Sequence, residues 1–365
     1  MQQERVQSNF ALDFIGSTLG RILVSVFVPL ATFLALYYGF IFLRDSGAPR
    51  GIIAITAIIW GVGGVAALYF VTNWFVERLP GEWTNRLQPF VFVGPAVVIL
   101  AWYLAIPTFR TLYLSFFDAN SNNFVGLDNY TAVFTQRIMI EAWTNNLIWM
   151  FVGTAFTVIF GLFIAILADR SSFERVAKSF IFMPMAISMV GAGVIWKFIY
   201  DVNPNIGMLN AVVTGAGGKA QGWLTLVQPW NNLFLIIVMV WLQTGYAMVL
   251  ISSAIKSIPE ELLEAARVDG ANEIEIFFRI IIPNIAGTLM TVITTIVIFT
   301  LKIFDIVMVM TGGQFGTEVI GVRFYREMFV SGNTGYGAAI AIVLLIAVIP
   351  VMIYNLRAFS KREAF

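Results

Sequence analysis

Eight stretches of this chain run for about 20 residues with almost no charge, long enough at about 1.5 Å per residue to cross roughly 30 Å of hydrocarbon as helices. They are Ile22–Leu43, Ile52–Val76, Phe90–Phe109, Leu147–Ala168, Phe180–Tyr200, Leu233–Ile255, a seventh from Ile282 to Leu301 or onward to Met310, and Ala338–Leu356. The fifth holds a single charge, Lys197, close enough to its end for the ammonium to reach the interface. The first is longer than the apolar part of a signal peptide, and no small-residue cleavage pattern follows Leu43, so it reads as a retained helix. Lipid offers the backbone no hydrogen bonds, so such runs must be helical. The pattern predicts an all-α integral membrane protein with eight transmembrane helices.

Composition agrees. Of 365 residues, 59% are hydrophobic and 12% charged, with a mean hydropathy of +0.84, whereas a soluble domain carries about 25% charge. A net charge of +1 gives no reason to expect a nucleic-acid partner. The absence of Cys and His removes thiolate chemistry, disulfides, the usual zinc sites and the commonest proton shuttle, so no metal site or hydrolase triad is expected. Of the 22 Lys and Arg residues, 13 fall on segments that are cytoplasmic if both termini are inside, which predicts that orientation. Arg5 and Arg21, Arg78 and Arg86 belong to that set. Trp74, Trp83, Trp143, Trp149, Trp196 and Tyr200 lie near span ends, either as interfacial anchors or as ordinary packing.

One connection departs from a plain loop. Lys256–Arg279 packs nine charges into 24 positions between two uncharged spans. Ser257 and Glu260 have capping-box spacing and Pro259 suits a first turn, which predicts a short helix over Pro259–Val268. Gly270 is a natural stop, and a second short helix over Asn272–Ile281 precedes re-entry at Pro283.

Glu264-Ala265-Ala266, then Asp269-Gly270-Ala271 and Ile282-Pro283, resembles the EAA loop of binding-protein-dependent ABC importers. The resemblance implies that segment 256–283 couples to a cytoplasmic ATPase subunit through Glu264, Ala265, Ala266, Asp269 and Gly270. Phe124–Tyr130, Pro184–Ser188 with Trp196, Phe304-Asp305 with Thr311-Gly312-Gly313, and Gly335–Ala339 resemble maltose-type sugar permeases. The implied architecture is a type I importer core of six helices over residues 89–365. Residues 1–88 would supply a cytoplasmic segment and two added helices, as in the larger member of the maltose-type pair. One departure is the connection Arg110–Asn146, where the maltose prototype carries a large extra domain.

The chain has no phosphate-cradling loop. Gly215–Lys219 comes nearest, but Ala220 stands where Ser or Thr is required and Val213 where Gly is required. The reading is therefore a non-catalytic permease subunit with no cofactor of its own, ATP and Mg2+ being bound by a partner ATPase. The implied partners are a second, related permease in a heterodimer, two ATPase subunits, an extracytoplasmic sugar-binding protein and the sugar, in a bacterial inner membrane. A secondary transporter would place ionisable groups at mid-membrane, and the span centres carry none. Lys302 and Asp305 could pair near the end of the seventh span.

A neutral sugar needs hydrogen-bonding groups and flat apolar surfaces. Gln243 and Tyr246 flank the midpoint of the sixth span. Position relative to the family motifs implies that Leu242, Gln243 and Tyr246, with Ile296, Phe299 and Thr300 on the seventh span, line a site for an α-glucoside or maltose-like oligosaccharide. The alternative is helix-to-helix packing.

Overall fold

The structure, a computed structural model, describes residues 18–77 and 81–363. Arg5, Arg78 and the N-terminal segment ahead of Thr18 lie outside the described residues. Among the described residues the chain is helical between turns, with one isolated bridge joining Phe117 and Phe124. Two compact units form, one up to Thr108 and one from Phe109 onward, whereas the sequence places the start of the core at residue 89.

The first unit holds α1 (Thr18–Asp45), α2 (Arg50–Glu77) and most of α3 (Thr84–Leu114). Helices α1 and α2 meet where Trp60 lies over Gly39 and Leu36 over Gly64. The rest of α2 shows Ile55, Ile58, Ile59, Val62 and Val65 to the outside. An apolar surface of that extent suits lipid or a protein partner, not water.

The second unit contains α4 (Asp128–Thr135), α5 (Arg137–Asp169), α6 (Glu174–Phe182) and α7 (Met189–Ile199). After α8 (Met208–Gly215) come α9 (Trp230–Lys256), α10 (Glu260–Val268) and α11 (Glu273–Leu301). The chain closes with α12 (Asp305–Met310), α13 (Ile320–Tyr325) and α14 (Thr334–Glu363). Of the eight predicted spans, six coincide with helices long and apolar enough to cross a bilayer: α2, α3, α5, α9, α11 and Thr334–Leu356 of α14. The first falls within α1. The remaining one, Phe180–Tyr200, is not a single helix.

There α6 runs into a 3-10 turn at Met183–Ala186, Ile187 and Ser188 are extended, and the two halves meet at 101°. Pro184 causes the break, since it has no N–H to donate and its ring crowds the preceding turn. Ser188 restarts the helix as an N-cap, its Oγ accepting from Gly191 N at 3.0 Å. The seventh span also stops short of Met310. Helix α11 ends at Leu301 because Asn146 Nδ2 donates to the freed carbonyls of Leu301 (3.2 Å) and Thr300 (3.3 Å). Among the described residues Lys302 and Asp305 form no ion pair.

Helix α9 is the axis of this unit: 61% of its apolar window is buried, against none for α2. Its neighbours approach at glycines. A Cβ on Gly161 of α5 would lie 2.6 Å from Ala247 Cβ, and one on Gly245 of α9 would lie 2.6 Å from the Ile181 carbonyl oxygen of α6. Leu235, Met239, Trp149, Ile306 and Val307 form a core at one end of α9. Met248, Ile251, Ala165, Ile285 and Val292 form another at the other end.

Gly245→Val and Gly161→Val should each lower thermal stability by about 1–3 kcal/mol, since backbone cannot yield as a flexible side chain would. Melting of the detergent-purified protein reads this out, with Gly61→Ala as a control because nothing lies within 4 Å of a Cβ there. A wild-type melting point for both Val variants would show that these contacts do not hold α9 in place.

Candidate functional site

The segment linking α9 to α11 is built by local chemistry. Glu260 and Glu261 occupy the first turn of α10 and Arg267 its last turn, each complementing the helix dipole. Ser257 does not form the expected capping box. It is the helical C-cap of α9, and its hydroxyl donates to Ala254 O at 2.7 Å. The capping box sits later: Glu275 N donates to Asn272 Oδ1 (2.9 Å) and Asn272 N to Glu275 Oε2 (3.1 Å). The stretch that follows is not a separate short helix either. It continues into α11 through a wider turn at Phe277–Ile281, where Ile282 N reaches back to Phe277 O, so that Pro283 fits without breaking the helix.

Helix α10 closes with Gly270 N donating to Arg267 O (3.1 Å) and Ala271 N to Ala266 O (3.0 Å). That pattern requires a left-handed residue, and Gly270 has φ +85°. Glu264, Ala265, Asp269 and Gly270 are exposed and Ala266 is half-buried. Beside them Val268 is 87% and Ile274 70% exposed, an apolar rim left open in the single chain. Glu273 accepts from Arg267 (3.2 Å) and from Arg170 (2.8 Å), tying the segment to the end of α5.

The six residues expected to line a sugar path do not share one environment. Leu242, Ile296 and Thr300 are enclosed by the chain's own helices, with 3%, 1% and no exposure. The Thr300 hydroxyl donates to Val297 O at 2.9 Å within its own helix. Gln243, Tyr246 and Phe299 stay partly open. Neither the Gln243 amide nor the Tyr246 hydroxyl has a hydrogen-bond partner among the described residues. A cavity of about 740 Å³ lies on a different face of α9, between Phe156, Phe160, Trp196, Val240, Trp241 and Thr244. It contains none of the six, and the Thr244 hydroxyl is committed to Val240 O (2.6 Å), so this cavity is a largely apolar groove whose Trp196 indole N–H has no partner among the described residues.

Sequence reasoning missed a polar cluster at the other end of α9, about 40 Å from the segment by helix rise. Asn145 Nδ2 donates to Gly316 O and Glu318 O, both at 2.8 Å, and Asn231 Nδ2 to Phe315 O at 2.5 Å. Glu318 is buried against Arg326 at 3.1 Å, and Arg326 also donates to Gly312 O. Burial pushes the Glu318 carboxyl above the usual carboxylate range, against the pull of Arg326 and Arg323. The cluster pins the loop that follows Thr311-Gly312-Gly313, where Phe315 has φ +59° and is exposed. The signal was present as two doublets, Asn145-Asn146 and Asn231-Asn232, beside uncharged runs.

Residues 157–362 match the family described as binding-protein-dependent transport system inner membrane component. The osmoprotective compounds uptake permease protein GgtC of Synechocystis sp. is 52% identical over 277 residues, 75% of this chain and 99% of that protein. The α-glucoside transport system permease protein AglF of Rhizobium meliloti is 43% identical over 330 residues, 86% of this chain and 98% of that protein. The chain belongs to the binding-protein-dependent transport permease family. The fold agrees with that of a bacterial ABC transporter involved in import of the acidic polysaccharide alginate. One of its chains superposes with a TM-score of 0.65 at 20% identity, covering 76% of this chain and 97% of that chain. This permease is thus a multi-pass, non-catalytic membrane subunit, ATP hydrolysis belonging to a separate subunit.

Gly270 is the sharpest local test of the segment. Nothing lies within 4 Å of a Cβ there, so substitution costs conformation alone. Gly270→Leu should strain the turn by about 1–3 kcal/mol and reduce both uptake and solute-stimulated ATP hydrolysis in vesicles holding the whole complex, while Gly270→Asn, which tolerates positive φ, retains more of both. Wild-type rates for Gly270→Leu would show that this turn is not part of coupling.

Proposed function

We propose that this permease contributes one half of the pore of an ATP-driven importer and conducts a neutral glycoside of the α-glucoside class. The observation that carries the reading is the Gln243–Tyr246 face: an amide and a phenol, partly open and without intrachain partners, at the middle of a span that has no charge between Trp230 and Ile255. Once a pore closes around them and excludes water, an unpaired amide or phenol costs about 1–3 kcal/mol, so such a face calls for a hydrogen-bonding ligand or a partner helix. An uncharged path disfavours an ionic solute, and a Tyr ring suits the C–H face of a sugar. Phe299 extends the same lining. Leu242, Ile296 and Thr300 would join it only in another conformation of the core.

The remaining parts follow from this role. A solute-binding protein delivers the sugar, and a second, related permease completes the pore. Two ATPase subunits hold ATP and Mg2+ and engage the segment through Glu264, Ala265, Ala266, Asp269 and Gly270. Both termini then face the cytoplasm, with the Phe315 loop on the delivery side. The 52% identity to an osmoprotectant permease favours a second reading, a small osmoprotective solute. Calorimetry of the cognate binding protein against α-glucosides and osmoprotectants separates the two; tight binding of an osmoprotectant and none of any glucoside would reject the glucoside.

Gln243→Leu and Tyr246→Ala should each lower uptake by roughly tenfold, in keeping with one lost hydrogen bond in a desolvated site. ATP hydrolysis stimulated by the loaded binding protein should fall less, since the coupling segment is untouched. If uptake per folded molecule stays normal while melting temperature drops, these two side chains serve packing alone.

A further inference from the structure

At the end of α9 nearest the coupling segment lies a cluster of charges that the transport path does not use. Lys178 of α6 donates to Asp169 Oδ1 at the end of α5 (2.5 Å), to Glu174 Oε1 (2.6 Å) and to Ser252 Oγ of α9 (2.5 Å). Lys256, at the end of α9, pairs with Glu174 and lies 3.7 Å from Asp169. Asp169 and Lys178 are largely enclosed, with side chains 12% and 19% exposed, so this is not a solvated surface pair. The cluster is also incomplete: Asp169 Oδ2 is buried without a hydrogen-bond partner among the described residues.

Three features make this cluster a connection as well as a clamp. Asp169 is followed by Arg170, which holds Glu273, and Glu273 holds Arg267 at the end of α10. Two ion-paired groups therefore sit one residue apart at the end of α5: Arg170, which leads through Glu273 to the coupling segment, and Asp169, which leads to Lys178 in the first half of the broken span, the backbone joining the two. That half-helix is stiffly seated on α9, where Gly245 meets the Ile181 and Phe182 backbone, and it ends at the Pro184–Ser188 break. Two ammonium groups and two carboxylates also leave a vacant lone pair, so the same residues can pair in a second arrangement, with Lys256 moving onto Asp169.

We propose that Asp169 and Lys178 are positioning residues for transport: they make α6 follow the coupling segment, so that movement there turns the broken span at its hinge. The inference rests on the coupling role given above to Glu264–Gly270. Removing the link leaves ATPase contacts intact but stops their motion from reaching the pore.

The test uses the complete transporter in proteoliposomes, reading sugar uptake and ATP hydrolysis on the same preparation. Asp169→Asn and Lys178→Met should lower the sugar moved per ATP by roughly tenfold, with hydrolysis held within about twofold, the scale of perturbing one charged pair in a coupled network. Lys178→Arg, which keeps charge and donors, should restore most of the ratio. A merely structural cluster predicts that uptake and hydrolysis fall together with the amount of folded complex, the ratio staying constant, and that result overturns the proposal. If Gly270→Leu lowers uptake and hydrolysis as expected while the Asp169 and Lys178 variants keep a normal ratio, this link alone fails. If Gly270→Leu leaves both activities untouched, the coupling reading fails and the proposal falls with it.

Discussion

Close backbone approach to α9 is the constraint on which the rest of the second unit depends. Lipid is as apolar as a leucine side chain, so helices in a bilayer gain little from burying hydrophobic surface and must instead pack tightly. Gly161 lets α5 reach Ala247 and Met248, and Gly245 lets α6 reach the same helix from its own backbone. Gly193 does likewise for α7 against Val309 of α12. With α9 gripped at these points, its ends become reference positions. One carries the start of the segment that links α9 to α11, and the other carries the asparagines that pin the Phe315 loop.

The broken span follows from that packing. Pro184 and Ser188 make a break possible, but a 101° turn persists only because each half has its own seat, α6 on α9 and α7 on α12. A span held in two halves can change angle without unfolding either half, which a transport path needs and a uniform helix does not provide. Charge is distributed to match. Asp169, Lys178 and Lys256 gather where α5 and α9 end and α6 begins, and Glu318 with Arg326 gathers at the far end. Between them the core is mostly apolar, its polar groups being chiefly hydroxyls spent on their own helices, such as Thr244 and Thr300, the unpaired Thr154 hydroxyl and Trp196 indole, and the open pair Gln243 and Tyr246.

The cavities make the same point by contrast. The groove beside Trp196 and Trp241 is roomy but nearly all apolar: its one hydroxyl is already bonded, and the Trp196 indole N–H, unpaired among the described residues, adds a donor but no acceptor, so shape and greasiness dominate what it can select. Specificity for a polyhydroxyl solute requires donors and acceptors together, and the Gln243 amide and Tyr246 hydroxyl offer both on the other face of α9. In the proposed reading the solute path follows unpaired polarity rather than volume.

The sequence by itself determined where helices run and where the segment between α9 and α11 turns. Uncharged runs mark the spans because lipid excludes charge, and Gly270 marks its turn because few residues accept φ +85°. These are local consequences of residue type, so they survive without any knowledge of the neighbours. Ser257 and Pro283 show the limit of that reasoning. Each has a sound local role in principle, but the end of α9 claimed Ser257, and a widened turn absorbed Pro283 into α11. Only the tertiary structure decided that Thr300, Leu242 and Ile296 face inward while Gln243 and Tyr246 stay partly exposed. It alone brought Asp169 to Lys178 and Asn145 to Glu318. The physical reason is that a membrane helix is apolar toward lipid and toward its neighbours alike. The alternation that reveals the buried face of a soluble helix is absent, and the inward side is chosen by which small residues let another backbone come close.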